Sequence, residues 1–182
     1  KLGSADFSKL GIGIPVSLRA PPKSLTEKLT FQNCLGLGVV EFPIDEDLNK
    51  CMYEGKKVMS KRFNLSVMWG SQKVQHLLKY FPKYSSKKVI DILSSTGHVA
   101  VSNLPGLKKE ITLGGFALKD TYFLTPHVFK MGLTILGMTY NGSFKFTVFQ
   151  DQGVEVDVNE VLAYLQSEID AQVKLVASPK TD

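Results

Sequence analysis

The pair Asn141-Gly142 constrains this chain more than any other local feature. It sits between two strand-like runs in residues 131–150, MGLTILGMTYNGSFKFTVFQ. A two-residue hairpin turn of type I′ needs positive φ at both central positions, and Asn-Gly supplies it most readily. The spacing then puts Phe144, Phe146 and Val148 on one face of the second strand and Lys145, Thr147 and Phe149 on the other. An antiparallel pair with an apolar face has to be covered by another layer.

Helical periodicity supplies that layer. Val158, Val161, Leu162, Leu165, Ile169 and Val173 form one stripe, preceded by Asp157 and Glu160 at capping-box spacing. Residues 177–182 read as a polar tail. Upstream, Asp45 is expected to cap a helix bearing Leu48, Cys51, Met52, Gly55, Val58 and Met59 and running to about Arg62. Ser66 is expected to cap the next helix, which Pro82 closes. Ser85 or Ser86 should open a third, with Val89, Ile90 and Leu93 inside and Gly97 beyond its end.

Strands account for the remaining apolar runs. Residues 10–18 form a strand whose Pro15 implies an edge or a strand boundary. CLGLGVVEFPI is a buried strand in which Gly36 and Gly38 leave one face bare, open to a close backbone or a ligand. A short apolar strand, Val99 to Val101, led by His98, stops at Ser102-Asn103 and breaks at Pro105-Gly106, and ITLGGFAL is a further strand with Gly114-Gly115 as a bulge or bend. The order is strand, strand, three helices, three or four strands, helix. It predicts an α/β fold: a two-layer sandwich with a mixed, largely antiparallel sheet and helices packed on it. Residues 1–176 are expected to form a single domain.

Composition fits one globular domain: 182 residues, 43% hydrophobic and 21% charged. No apolar run approaches the ~20 residues of a membrane-spanning helix. The first residues lack the basic-then-apolar order of a secretory signal and lack an initiator Met, so a processed chain or a piece of a longer one is expected. Cys34 and Cys51 make no metal or disulfide signature and read as reduced core thiols. An intracellular compartment is favoured on that ground, with membrane-associated and organellar sites left open. The net charge of +5 is concentrated in Lys50, Lys56, Lys57, Lys61 and Arg62, then Lys73, Lys79, Lys83, Lys87 and Lys88. Solvated helix faces explain such lysines. The sharper reading is a surface for peripheral membrane contact, acyl-CoA phosphates or an acidic partner. No nucleic-acid motif accompanies the charge.

No catalytic constellation is visible in the residues themselves. His76, His98 and His127 have no Asp or Glu within four residues and no metal-ligand spacing, so each reads as surface or structural. There is no nucleophile elbow. GIGIPVS lacks the third glycine and following helix of a dinucleotide fingerprint. Asp45, Glu46 and Asp47 cluster where a helix macrodipole explains them.

Four segments, taken in order, carry a resemblance. VSNLPG at 101–106 resembles the Ser-Asn-Val-Pro-Gly signature in the C-terminal half of the wax ester synthase/diacylglycerol acyltransferase family. PVSLR at 15–19 looks like that family's motif of the same letters. QNCLG at 32–36 is similar to its Gly-Asn-x-x-Gly segment, with Gln32 in the glycine place. TYNGSFKFTV at 139–148 looks like its Ser-Tyr-Asn-Gly hairpin, and the helix from Val158 matches the family's end.

The resemblance implies one half of a chloramphenicol acetyltransferase-like fold, in which two related α/β halves enclose a tunnel for acyl-CoA and an acceptor alcohol. It implies a general base in a His-His-x-x-x-Asp-Gly motif of the N-terminal half. That motif is absent here: four residues after His76, His98 and His127 stand Tyr80, Ser102 and Met131. The chain alone is therefore expected to be inactive, with no catalytic residue, no metal and no covalent cofactor. Its expected partner is an N-terminal catalytic half or another subunit, with acyl-CoA or lipid as ligand. Ser102, Asn103 and Gly106 are the substrate-binding candidates, because Asn103 can orient a ligand carbonyl and Pro105-Gly106 forces a sharp exit at a sheet end. The competing reading is that Ser102 and Asn103 only satisfy turn backbone. Arg19 either pairs with a carboxylate of the other half or decorates the surface. An interaction module without catalysis, and a lipid carrier, are the alternative functions.

Overall fold

A computed structural model describes residues 8–20, 24, 34–94, 97–125 and 131–177. The elements run β1 (Lys9–Ser17), β2 (Leu35–Pro43), α1 (Leu48–Arg62), α2 (Leu65–Leu78), α3 (Lys83–Ser94), β3 (Val99–Leu104), β4 (Thr112–Leu113), β5 (Phe116–Ala117), β6 (Leu133–Tyr140), β7 (Ser143–Gln150) and α4 (Val158–Ala177). The fold is α/β, as the periodicities predict. Five strands form one mixed sheet in the order β2-β1-β3-β6-β7. The outer pairs, β1–β2 and β6–β7, are antiparallel over most of their length, while the inner junctions β1–β3 and β3–β6 are parallel.

Register assigns the faces. Gly36, Gly38, Val40 and Phe42 lie opposite Val16, Ile14, Ile12 and Leu10 on one face. The helices α1 and α2 lie against β2 on that face, and a Cβ at Gly36 would stand 2.8 Å from the Met68 carbonyl oxygen. The bare face of β2 is thus filled at Gly36 by the α2 backbone at Met68 and at Gly38 by the Met68 and Phe63 side chains. Phe42 lies over Gly55 in the same way, which explains a glycine inside α1. The helix α4 rests on β7. The buried apolar side chains among the described residues are Val40, Met68, Val99, Met131, Leu136 and Tyr140.

Pro15 lies in the second strand of the order, not at an outer edge. The pairing of β1 with β3 covers only Ile12 and Gly13, so beyond Gly13 that flank of β1 is locally an edge and tolerates proline.

Several boundaries differ from expectation. Asp47 rather than Asp45 caps α1, accepting the N–H groups of Asn49 and Lys50; Asp45 instead accepts from Asp47 N–H and pairs with Lys50. Asn64 rather than Ser66 caps α2, because its carboxamide reaches the Val67 N–H at 2.8 Å. α2 ends at Leu78, ahead of Pro82, and α3 opens at Lys83 directly after it, with the Ser86 N–H donating to the Pro82 carbonyl. Of the bulge or bend expected at Gly114-Gly115, the structure has the bend, and it divides the expected single strand in two. With φ of 57° and 86° it is the turn of a small β4–β5 hairpin. Asp157 does sit at the start of α4, accepting from Asn159 N–H. Cys34 and Cys51 are half-buried at the sheet margin rather than in the core; the Cys51 thiol donates weakly to the Pro43 and Asp45 carbonyls. His127, Gln32 and the tail beyond 177 lie outside the described residues.

Candidate functional site

Residues 98–107 and 139–142, far apart in sequence, meet at the C-terminal end of β3. There β3 runs parallel to β6, with Ser102 opposite Leu136, Asn103 opposite Gly137 and Leu104 opposite Met138. Adjacent strand residues point to opposite faces, so Ser102 and Asn103 do not converge. Asn103 shares its face with Gly137 and Phe146, and through β1–β2 register this is the face that carries α1 and α2. Ser102 lies on the other face beside Leu136.

Gly137 leaves a bare spot on the Asn103 face. A Cβ there would stand 2.6 Å from the Phe144 ring and 3.6 Å from the Asn103 side-chain oxygen. The Phe144 ring edge therefore rests on Gly137 with the Asn103 carboxamide alongside. Phe144 and Phe146 pack edge to face, 4.6 Å between centroids, and Phe144 stays 44% exposed. Asn103 is exposed and Ser102 half-buried. An exposed carboxamide beside an accessible aromatic edge can both donate to and accept from a ligand amide or carbonyl while the ring covers apolar chain.

Gly106 has a different part. A Cβ on it would overlap the Thr139 carbonyl oxygen, so only glycine fits. Its N–H donates to the Thr139 hydroxyl at 2.9 Å, and the Asn141 N–H donates to the Leu107 carbonyl at 2.9 Å. The exit after Pro105 is held from the β6–β7 hairpin. The turn itself is the expected I′, with φ of 46° at Asn141 and 78° at Gly142.

From there residues 107–122 form a strap over the opposite face. Tyr140, 2% exposed, accepts from the Ile111 N–H and donates to the Leu118 carbonyl. Lys145, on the same face as Tyr140, pairs with Asp120 and stacks over Tyr122 at 5.2 Å. The hydrogen bond to Asp120 raises the Lys145 pKa above the usual lysine range; burial opposes it and Tyr122 adds to it. The strap was unreadable from sequence because its fastenings are single contacts between distant segments.

The remaining candidates lie elsewhere. His98 ties β3 to β1: its ring Nδ1 accepts from the Gly11 N–H at 2.9 Å, and its own N–H donates to the Gly11 carbonyl. His76 is exposed in the last turn of α2. Arg19 is exposed just beyond β1. A cleft of about 380 Å³ lies at the far end of the sheet, lined by Lys9, Glu41, Pro43, Glu54, Val58 and Lys61, whose charges cancel. Among the described residues no group of His, Cys, Asp and Glu gathers as a metal site.

The motifs that meet at the end of β3 also fall inside the span recognised by comparison with known families. No curated protein matches the chain significantly. A family model described as the WS/DGAT C-terminal domain matches residues 31–172, which takes in the strand-end segment, the Asn-Gly hairpin and most of α4. The chain belongs to the WS/DGAT C-terminal domain family, an acyltransferase-related domain.

Proposed function

We propose that this domain forms one wall of the channel of an acyl-CoA-dependent O-acyltransferase that makes wax esters or triacylglycerol. The general base comes from a His-His-x-x-x-Asp-Gly segment on the facing half, since the residues here offer none. The observation that carries the reading is the exposed Asn103 carboxamide beside Gly137 and Phe144, at a strand end fastened by Gly106 and Thr139. Asn103 would hydrogen-bond a carbonyl or amide of the acyl-pantetheine arm, and the Phe144 edge would bound the apolar part of the ligand. Ser102, on the opposite face, supports the strand rather than the ligand. The test is ester formation from long-chain acyl-CoA and a fatty alcohol by the chain together with a companion polypeptide bearing that motif. Ester from the pair and not from either alone is expected. No ester from the complete assembly would end the reading.

A second reading, a non-catalytic subunit of a larger assembly, draws on the strap. Leu107, Leu113, Phe116, Tyr122 and Leu124 are all more than half exposed, Phe116 at 80%. An apolar surface of this kind is covered in a working protein. A stable, monodisperse monomer in native mass spectrometry would count against it.

A further inference from the structure

Residues 55–90 carry nine lysines and arginines and not one aspartate or glutamate. They span the last turns of α1, all of α2 and most of α3. At the corner between α2 and α3 the same stretch exposes apolar side chains: Leu77, Tyr80, Phe81 and Tyr84 are 54%, 76%, 50% and 80% accessible. Lys79, Lys83, Lys87 and Lys88 are exposed around them, and the Lys79 ammonium lies 4.8 Å from the Tyr80 ring centroid.

The corner is braced from within. Tyr80 and Phe81 N–H groups donate to the Leu77 and Leu78 carbonyls, Ser86 N–H donates to the Pro82 carbonyl, and the Ser86 hydroxyl donates to the Leu78 carbonyl at 2.8 Å. The Leu77, Leu78 and Pro82 carbonyls are thus already satisfied, which lowers the cost of moving the corner into a medium poor in water.

We propose that the α2–α3 corner docks on an anionic lipid bilayer, with Phe81, Tyr84 and Tyr80 seated at headgroup depth and the lysines over the lipid phosphates. Aromatic residues with a polar tip favour that depth, and each lysine near a negative surface adds attraction. The surface is too uniformly cationic to meet a second copy of itself. Every cation from residue 63 to 90, His76 aside, is a lysine, a diffuse point charge suited to headgroups, whereas bidentate phosphate recognition favours arginine. No described helix is long and apolar enough to cross a membrane, so the contact is peripheral. The proposal is independent of acyl transfer.

The experiment is sedimentation of the full 182-residue chain with vesicles of phosphatidylcholine alone and of phosphatidylcholine with phosphatidylserine. Binding is expected to the mixed vesicles and to fall with salt. Lys83→Gln/Lys87→Gln/Lys88→Gln should weaken it by about fivefold per lysine, roughly a hundredfold in all. Phe81→Ser/Tyr84→Ser should weaken it at unchanged charge. Circular dichroism checks that both variants fold. Failure of the folded parent to bind, or variants that sediment like the parent, would overturn the proposal. So would full competition by a single-stranded oligonucleotide with no effect of Phe81→Ser/Tyr84→Ser, which would assign the patch to nucleic acid.

Discussion

The Gly106 amide hydrogen bonds to the Thr139 hydroxyl at 2.9 Å, fastening the exit of β3 to the strand that ends in the Asn141-Gly142 turn. Two segments more than thirty residues apart thereby become one rigid strand end. The contact requires a residue without a side chain, since a Cβ would overlap the Thr139 carbonyl.

Gly106→Ala should consequently be among the most disruptive single changes in the chain, costing about 2–4 kcal/mol by backbone overlap. Gly70→Ala is the counterpart. A Cβ at Gly70 meets nothing within 4 Å inside α2, so it should gain about 0.5–1 kcal/mol of stability. Urea midpoints of the two variants check both signs.

Tyr140→Phe should loosen the strap while leaving the sheet. It removes the hydroxyl that serves the Ile111 N–H and the Leu118 carbonyl, at a cost of about 1–3 kcal/mol. Hydrogen exchange should speed up over residues 107–118 and stay unchanged in β1 and β2.

Gln150→Met should raise stability. The Gln150 side-chain oxygen is buried without a partner among the described residues. Replacing it by an apolar chain of similar length removes a desolvation cost of about 1–2 kcal/mol. A thermal midpoint no higher than that of the parent would contradict this.

Two ion pairs make stability depend on pH: Asp120–Lys145 at the alkaline end, and Asp45–Lys50 at both ends. Asp120 raises the Lys145 pKa, so that contribution is whole below the ordinary lysine pKa and is lost as pH climbs through the raised value. Lys50, followed by the Asp47 N–H, lowers the Asp45 pKa, so that contribution is present above the ordinary aspartate pKa and lost as pH falls through the lowered value. Both are small because the groups face solvent. Stability of Lys145→Met measured against pH should keep the acid limb and lose part of the alkaline one, the remainder belonging to Lys50, whose pKa Asp45 raises.

What could be read from the sequence was what depends on local pattern. The I′ turn at Asn141-Gly142, the alternating faces of β7 and the stripe of α4 all rest on spacing within a few residues. The caps of α1 and α2 were each displaced by two residues because Asp47 and Asn64 compete with nearby Asp45 and Ser66, and only backbone geometry chooses between them. Ser102 and Asn103 look like one site in the sequence but are divided by the sheet, as period-two alternation requires. Gly106, read as part of a ligand site, touches Thr139. Phe144 was visible only as a strand residue. Its place beside Asn103 depends on the β3–β6–β7 register, which joins three separate segments.

The most direct measurement is photo-crosslinking with an acyl-CoA analogue that carries a diazirine near the thioester, applied to the chain together with its companion half. The account predicts adducts within residues 101–107 and 137–146, reduced by Asn103→Ala. Adducts confined to β1, β2 or the cleft lined by Lys9 and Lys61 would contradict it.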